Sequence, residues 1–191
     1  MIDIINELTR ITQAVSLVSS PKEQVEVMVA EISRYLNVSV CSLYRQERSG
    51  DLLLLASQGL SATRPVKIPA GCGLVGLVAS SRHPLNLANG LLHPAYFHVA
   101  DIEEERFTSF CGAPLVSAGE VIGVLVVQGS QEVAFSTQQE AFITTLASHI
   151  ALIVQQLPSE LNPLFASSVL KGLVASEGIA IGSPFFCNLP E

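Results

Sequence analysis

From residue 4 to residue 18, apolar side chains at Ile4, Leu8, Ile11, Val15 and Val18 recur at steps of four, three, four and three. That spacing lays one narrow apolar seam along a helix. "SSPKEQ" then restarts the chain as a second helix. Ser20 stands at the N-cap, Pro21 suits the first helical position, and Glu23 sits where a capping box needs it. Val25, Met28, Val29, Ile32 and Leu36 recur on its buried face.

The period then drops to two. "VSVCSLYRQ" and "LLLLASQG" are β-rich runs joined by the turn "ERSGD", and a short strand is expected over 66–68. "PAGCGLVGLVASSR" reads as a Gly-rich turn into a short helix, and "PLNLAN" as another strand. Residues 90–107 form a long connection, with a helical turn capped by Asp101 ahead of "IEEERF". Long ordered loops in compact domains are often functional. The strands "FCGAPLV" and "EVIGVLVVQ" flank the turn "SAG". The last helix opens at "FSTQQEAF" with Ser136 as N-cap and Gln139 at the box position. Its seam is Phe142, Leu146, Ile150, Ile153 and Leu157, and Pro158 stops it. The order ααβββαβ–loop–ββα, with hairpin-linked strands, predicts an α+β domain: a central antiparallel sheet with helices segregated to its faces.

Composition narrows the function. A mean hydropathy of +0.46 raises the question of a membrane. The longest uncharged stretch, 141–159, holds Thr144, Thr145, Ser148, His149, Gln155 and Gln156, so it reads as an amphipathic helix rather than a span. Ten basic against 17 acidic residues leave a net charge of −7, which argues against nucleic acid or an anionic membrane as partner. "MIDIINELTR" shows no signal-peptide pattern, so a cytoplasmic location is expected. Cys41, Cys72, Cys111 and Cys187 form no CxxC pair and no zinc spacing, so no metal site is expected.

Several strings are similar to a GAF domain, and more narrowly to the one that opens nitrogen-type enzyme I, a phosphoenolpyruvate-protein phosphotransferase. "AGCGLVGLVASSRHPLNLAN", then "HPAYF", then "EEERFTSFCGAPLVSAGEVIGVLVVQ" carry the resemblance. "ASEGIAIGSPFF", residues 175–186, resembles the first strand of the enzyme I phosphotransferase region, with Glu177 where that family usually has Pro. The resemblance implies a GAF sensor domain over 1–157, a connector over 158–174, and the start of the phosphotransferase region over 175–191. It also implies a ligand pocket under the long loop, with terminal helices on the other face of the sheet.

The parent reaction needs a nucleophilic histidine, magnesium and a phosphoenolpyruvate site. His83, His93, His98 and His149 do not sit in the family's phosphorylation motif. No catalytic residue, and no cofactor, is therefore expected within these 191 residues; magnesium and the phosphocarrier protein belong to the catalytic region. "GCGLVG" is not a GxGxxG fingerprint and no Walker lysine follows it, although the helix start at Gly73 could offer N–H groups to a small carboxylate.

What the resemblance does imply is a sensor pocket, with Asn86, Asn89, His93, Tyr96, Asp101, Arg106 and Phe110 as candidate liners. Asn89 stands where many relatives carry Asp. Arg106 either grips a carboxylate bidentately or pairs with Glu103 or Glu104. Tyr96 and Phe97 either cover a ligand or close the core. A nitrogen-status metabolite, glutamine or 2-oxoglutarate, is the implied effector. A second reading is a homodimerisation module, with Ile4, Leu8, Ile11 and Val15 of the first helix and Leu146, Ile150 and Ile153 of the last as the seam, widened by Ile5, Leu17 and Ile143. A third is the GAF-fold free methionine sulfoxide reductase, but Val75 stands where that family has cysteine, and 90–110 contains none.

Overall fold

The computed structural model describes residues 4–60, 65–98 and 107–157. Among the described residues, ten elements follow the expected order: α1 (Ile4–Ser16), α2 (Pro21–Leu36), β1 (Val40–Gln46), β2 (Leu52–Gln58), β3 (Lys67–Ile68), α3 (Gly73–Ser81), β4 (Leu85–Leu87), β5 (Ser109–Ser117), β6 (Glu120–Gly129) and α4 (Thr137–Val154). The strands form one sheet in the order β3-β2-β1-β6-β5-β4, and each neighbouring pair is antiparallel. This is the expected α+β architecture. The connector expected over 158–174, the strand over 175–191, Asp101 with its helical turn, and Arg106 lie outside the described residues.

Strand alternation sorts the sheet into two faces. Cys41 and Leu43 of β1, Cys111, Ala113 and Leu115 of β5, and Leu125 and Val127 of β6 point to one side. There they meet Ile11 and Val15 of α1, Met28 and Ile32 of α2, and Phe142, Leu146 and Ile150 of α4. Val40 and Tyr44 of β1, Phe110 of β5, and Val124 and Val126 of β6 point to the other. That side is covered by Leu74, Val75 and Val78 of α3 and by Tyr96 and Phe97 of the following segment.

The α4 start is as expected. Gln139 N–H donates to Ser136 Oγ at 3.3 Å and Ser136 N–H to Gln139 Oε1 at 2.9 Å, which is a capping box. The α2 start differs. Ser20 adopts the N-cap backbone, but its hydroxyl makes no capping bond. Gln24 ties this turn instead, donating from Nε2 to the Val18 carbonyl at 2.7 Å.

The seam of α1 and α4 also differs from the dimer expectation. Ile11, Val15, Leu146 and Ile150 are buried in the protomer's own core, and Ile4, Leu8 and Ile153 pack against the same cluster. Ile143 is buried there too. The physical reason is proximity: the bare apolar face of the sheet lies in the same chain, so both stripes are satisfied locally. The large apolar residues left outward on these helices, or just beyond α1, are Ile5, Leu17 and Leu152, at 74%, 86% and 60% exposure.

A four-membered charge cluster fastens α1 to α2. Arg10 reaches Glu7 and Glu31, each at 2.5 Å, and Arg34 reaches Glu7 at 3.1 Å and Glu31 at 2.9 Å. The Arg10 guanidinium, helped by Arg34, holds both carboxyls below their ordinary range.

Candidate functional site

A small, partly open cavity lies on the α3 side of the sheet. Its floor is Tyr44 of β1, Ile68 of β3, Phe110 of β5, and Val126 and Gln128 of β6. Gly73, Leu74 and Val75 at the start of α3 form one wall, and Tyr96 and Phe97 form the roof. Its volume is about 30 Å³, room for one or two water molecules.

The Gly-rich string builds this wall. Gly71 and Gly73 have φ of +72° and +69°, a region that L side chains rarely adopt. A Cβ on Gly76 would lie 2.6 Å from the Gly71 carbonyl carbon, and one on Gly73 would lie 3.2 Å from Phe97 Cβ. The glycines therefore let a tight turn enter α3 directly and let the roof rest on it. Because α3 begins here, the N–H groups of Gly73, Leu74 and Val75 have no intrahelical acceptor. Gly76 is the first to close back, onto the Cys72 carbonyl at 3.1 Å. These amides give the wall a partial positive charge.

The floor adds polar groups to an otherwise apolar lining. Gln128 is buried, and its side-chain amide makes no hydrogen bond among the described residues. Tyr44 and Tyr96 contribute aromatic faces. Thr108, which leads into β5, has a buried Oγ1 that finds no partner among the described residues.

The residues expected at the pocket separate into groups. Tyr96 and Phe110 line the cavity. Asn86 does not. It stands opposite Cys111 in the β4–β5 ladder, so it faces α4 while Leu85 and Leu87 face the α3 side. Its Nδ2 donates to the Phe135 carbonyl at 2.8 Å and to Glu140 Oε2 at 2.9 Å, and its Oδ1 accepts from Phe135 N–H at 3.0 Å. Asn86 is thus a brace between β4 and the α4 N-terminus. Asn89 and His93 also serve the backbone rather than the cavity. Asn89 Oδ1 accepts from Leu91 N–H and His93 Nδ1 from Ala95 N–H, both at 3.1 Å. Short polar side chains that bond a neighbouring amide shape turns. Tyr44 and Gln128 were missed in reading the sequence. The signal lay in "VLVVQ": alternation from Val124 through Val126 puts Gln128 on the same face, where a polar residue interrupts an apolar row.

Cys41 and Cys111 stand apart from the cavity's polar groups. Both lie on the helix face of the sheet. Burial, with a smaller contribution from Glu140, pushes the Cys111 thiol up to about 12, and burial pushes the Cys41 thiol up further. Both are thiols, not nucleophilic thiolates, at neutral pH. Cys72 is buried at the α3 N-cap, one turn before Val75. Among the described residues no helix is long and apolar enough to cross a membrane.

Comparison with known proteins agrees with this geometry. The GAF domain family model matches residues 20–154. A protein of Escherichia coli (strain K12), described as a phosphoenolpyruvate-dependent phosphotransferase system protein, is 33% identical over 183 residues, or 91% of this chain. The aligned part is 24% of that protein, so the chain spans about a quarter of its length. The solved GAF domain of a phosphoenolpyruvate-protein phosphotransferase from Coxiella burnetii is 33% identical with a TM-score of 0.75, covering 80% of this chain and 93% of that one. A type II free methionine-R-sulfoxide reductase from Thermoplasma acidophilum is similar in fold, with a TM-score of 0.63 at 23% identity over 71% of this chain and 93% of that one. At that identity the likeness concerns the fold alone. The covered cavity, the antiparallel sheet and these matches together show that the chain belongs to the GAF domain family, in the branch found in phosphoenolpyruvate-protein phosphotransferases.

Proposed function

We propose that this GAF domain is the regulatory module of a nitrogen-type phosphoenolpyruvate-protein phosphotransferase. Its cavity receives a small nitrogen-status metabolite, and binding modulates autophosphorylation in the catalytic region. Magnesium and the phosphocarrier protein act at that region, not here. The observation that carries this reading is that Gln128 lines the same largely apolar cavity as the start of α3, where the Gly73, Leu74 and Val75 N–H groups have no intrahelical acceptor. A ligand with a carboxylate at one end and an amide at the other matches both. The carboxylate takes the α3 amides and the ligand amide pairs with Gln128, donor to acceptor in both directions. Glutamine has this pattern. 2-Oxoglutarate carries a second carboxylate, and the described lining residues include no cation to meet it.

A volume of about 30 Å³ is too small for either molecule. Entry therefore requires Tyr96 and Phe97 to swing outward, so binding and roof movement are one event. Titration calorimetry and thermal shift on the 191-residue chain test the reading. Glutamine raises Tm, reflecting about 2.7 kcal/mol of stabilisation at a hundredfold excess over Kd, and 2-oxoglutarate raises it less. Gln128→Leu removes the response. No shift with either metabolite ends the sensing reading.

A second reading, a homodimerisation module, is favoured by the outward Ile5, Leu17 and Leu152. It places the contact on the outer surfaces of α1 and α4, not on the seam. Light scattering decides it, and a monomer at every concentration removes it.

A further inference from the structure

The start of α3, which lines the cavity, is presented by a segment with little of its own to hold it. Pro69–Cys72 is a β-turn, closed by Cys72 N–H on the Pro69 carbonyl at 3.0 Å. Gly71 and Gly73, on either side of Cys72, both have positive φ. A Cβ on Gly71 would meet nothing within 4 Å, so no packing wedges the turn there. Glycine at such positions leaves the direction of the chain loosely fixed. A small rotation would re-aim the first N–H groups of α3.

The turn is instead tied from the β1–β2 hairpin. In the β2–β3 ladder Leu52 stands opposite Ile68 and Leu53 opposite Lys67. The next pair would be Asp51 with Pro69, but Pro69 has no N–H with which to continue the ladder. The Asp51 side chain takes over. Its Oδ1 accepts from Ala70 N–H at 3.1 Å, a donor that the β-turn itself leaves unused. Its Oδ2 meets Lys67 Nζ at 2.9 Å and accepts from Ser49 Oγ at 2.8 Å. The hairpin tip is closed on itself, with Glu47 N–H on the Asp51 carbonyl at 2.8 Å and Gly50 N–H on the Glu47 carbonyl at 2.9 Å. It also lies close to the Gly-rich turn, since a Cβ on Gly50 would be 3.0 Å from Ala70 Cβ.

We propose that Asp51 is a positioning residue for the cavity: through Ala70 N–H it fixes the Pro69–Cys72 turn and, with it, the aim of the Gly73, Leu74 and Val75 amides. Asp51 is not among the residues that line the cavity, so it acts without touching a ligand. A carboxylate suits the task, because an ionised acceptor bonds a backbone N–H more strongly than a neutral one. Lys67 beside it holds the carboxyl below its ordinary range. The consequence for binding rests on the sensing reading, whereas the placement of the amides does not.

Amide exchange by NMR and titration calorimetry with glutamine, both on the 191-residue chain, test the proposal. Asp51→Ala speeds exchange at Cys72 and Gly76, whose N–H groups close the turn and the first bond of α3, by about three- to tenfold. It weakens glutamine binding by a similar factor. Asp51→Asn keeps an oxygen acceptor and restores most of both. Lys67→Met removes the ion pair but leaves the exchange and the Kd within about twofold of wild type. A general loosening of the hairpin would move Asp51→Ala and Lys67→Met alike, and that result overturns the proposal. Unchanged exchange at Cys72 and Gly76 in Asp51→Ala also overturns it, as does an unchanged Kd in a chain that binds glutamine. Failure of Asp51→Asn to rescue does the same, because the charge and not the acceptor then matters. If the wild-type chain binds no glutamine, the sensing reading fails, and exchange at Cys72 and Gly76 alone decides whether Asp51 places the amides.

Discussion

The two faces of one sheet have been put to different uses. On the helix face, β1, β5 and β6 present aliphatic side chains to α2 and α4, and Phe142, Ile143 and Leu146 are almost wholly buried there. On the other face the same strands present Tyr44, Phe110 and Gln128 to a short helix and an irregular segment, and a cavity remains. Close packing on one side stabilises the domain, and looser packing on the other leaves a small cavity. Adjacent residues in one strand, such as Val127 and Gln128, therefore carry different tasks.

Substitutions on the two faces should separate these tasks. The largest effect belongs to the helix face. Phe142, whose ring packs 4.6 Å from that of Tyr35, loses about 3–5 kcal/mol of stability as Phe142→Ala, read by urea unfolding. A loss below about 1 kcal/mol would mean that this face is not the stabilising one.

Next comes the brace between β4 and the α4 N-terminus. Asn86→Leu strands the Phe135 N–H and carbonyl, which costs about 1–3 kcal/mol. Hydrogen exchange should speed up at 135–140 while the cavity lining is unaffected. If the lining exchanges faster instead, Asn86 belongs with the pocket after all.

Gln128→Leu should be neutral to stabilising, by up to about 1 kcal/mol, because it swaps an amide without a protein partner among the described residues for an apolar side chain on an apolar face. A marked loss of Tm would show that Gln128 is structural and would erase the contrast between the faces.

The smallest effect is at the periphery of the helix face. Glu7 and Glu31 have carboxyl pKa values held below the ordinary 4.5, chiefly by Arg10. Their stabilisation is complete above that value in the unfolded chain and is lost as pH falls through the lower, folded values. Exposed pairs of this kind contribute about 1 kcal/mol or less. Glu7→Gln should flatten the fall in Tm below about pH 4.5 and leave cavity-face behaviour untouched.

Much of the fold was legible because its signals are local. The change of period from 3.6 to two at Val38–Ser39, the "FSTQ" box and the "SAG" turn are set by neighbouring residues, and each element stands where those signals put it. The site was legible only in part. Of the expected liners, Tyr96 and Phe110 border the cavity, whereas Asn86 faces α4, because a three-residue strand shows too little alternation to reveal its facing. Asn89 and His93 had the polarity of liners but satisfy backbone amides next to them.

By itself, the sequence determined the order of helices and strands, the antiparallel sheet and the Gly71–Gly76 turn, since periodicity, capping and φ preference act within a few residues. Three things were decided only in the tertiary structure. The seams of α1 and α4 close on their own sheet, Asn86 braces α4, and Tyr44 and Gln128 share a cavity with the start of α3. Each depends on which strand lies beside which. That choice is fixed by long-range register and by competition among apolar surfaces for the same core, and neither is written in any single stretch of the chain.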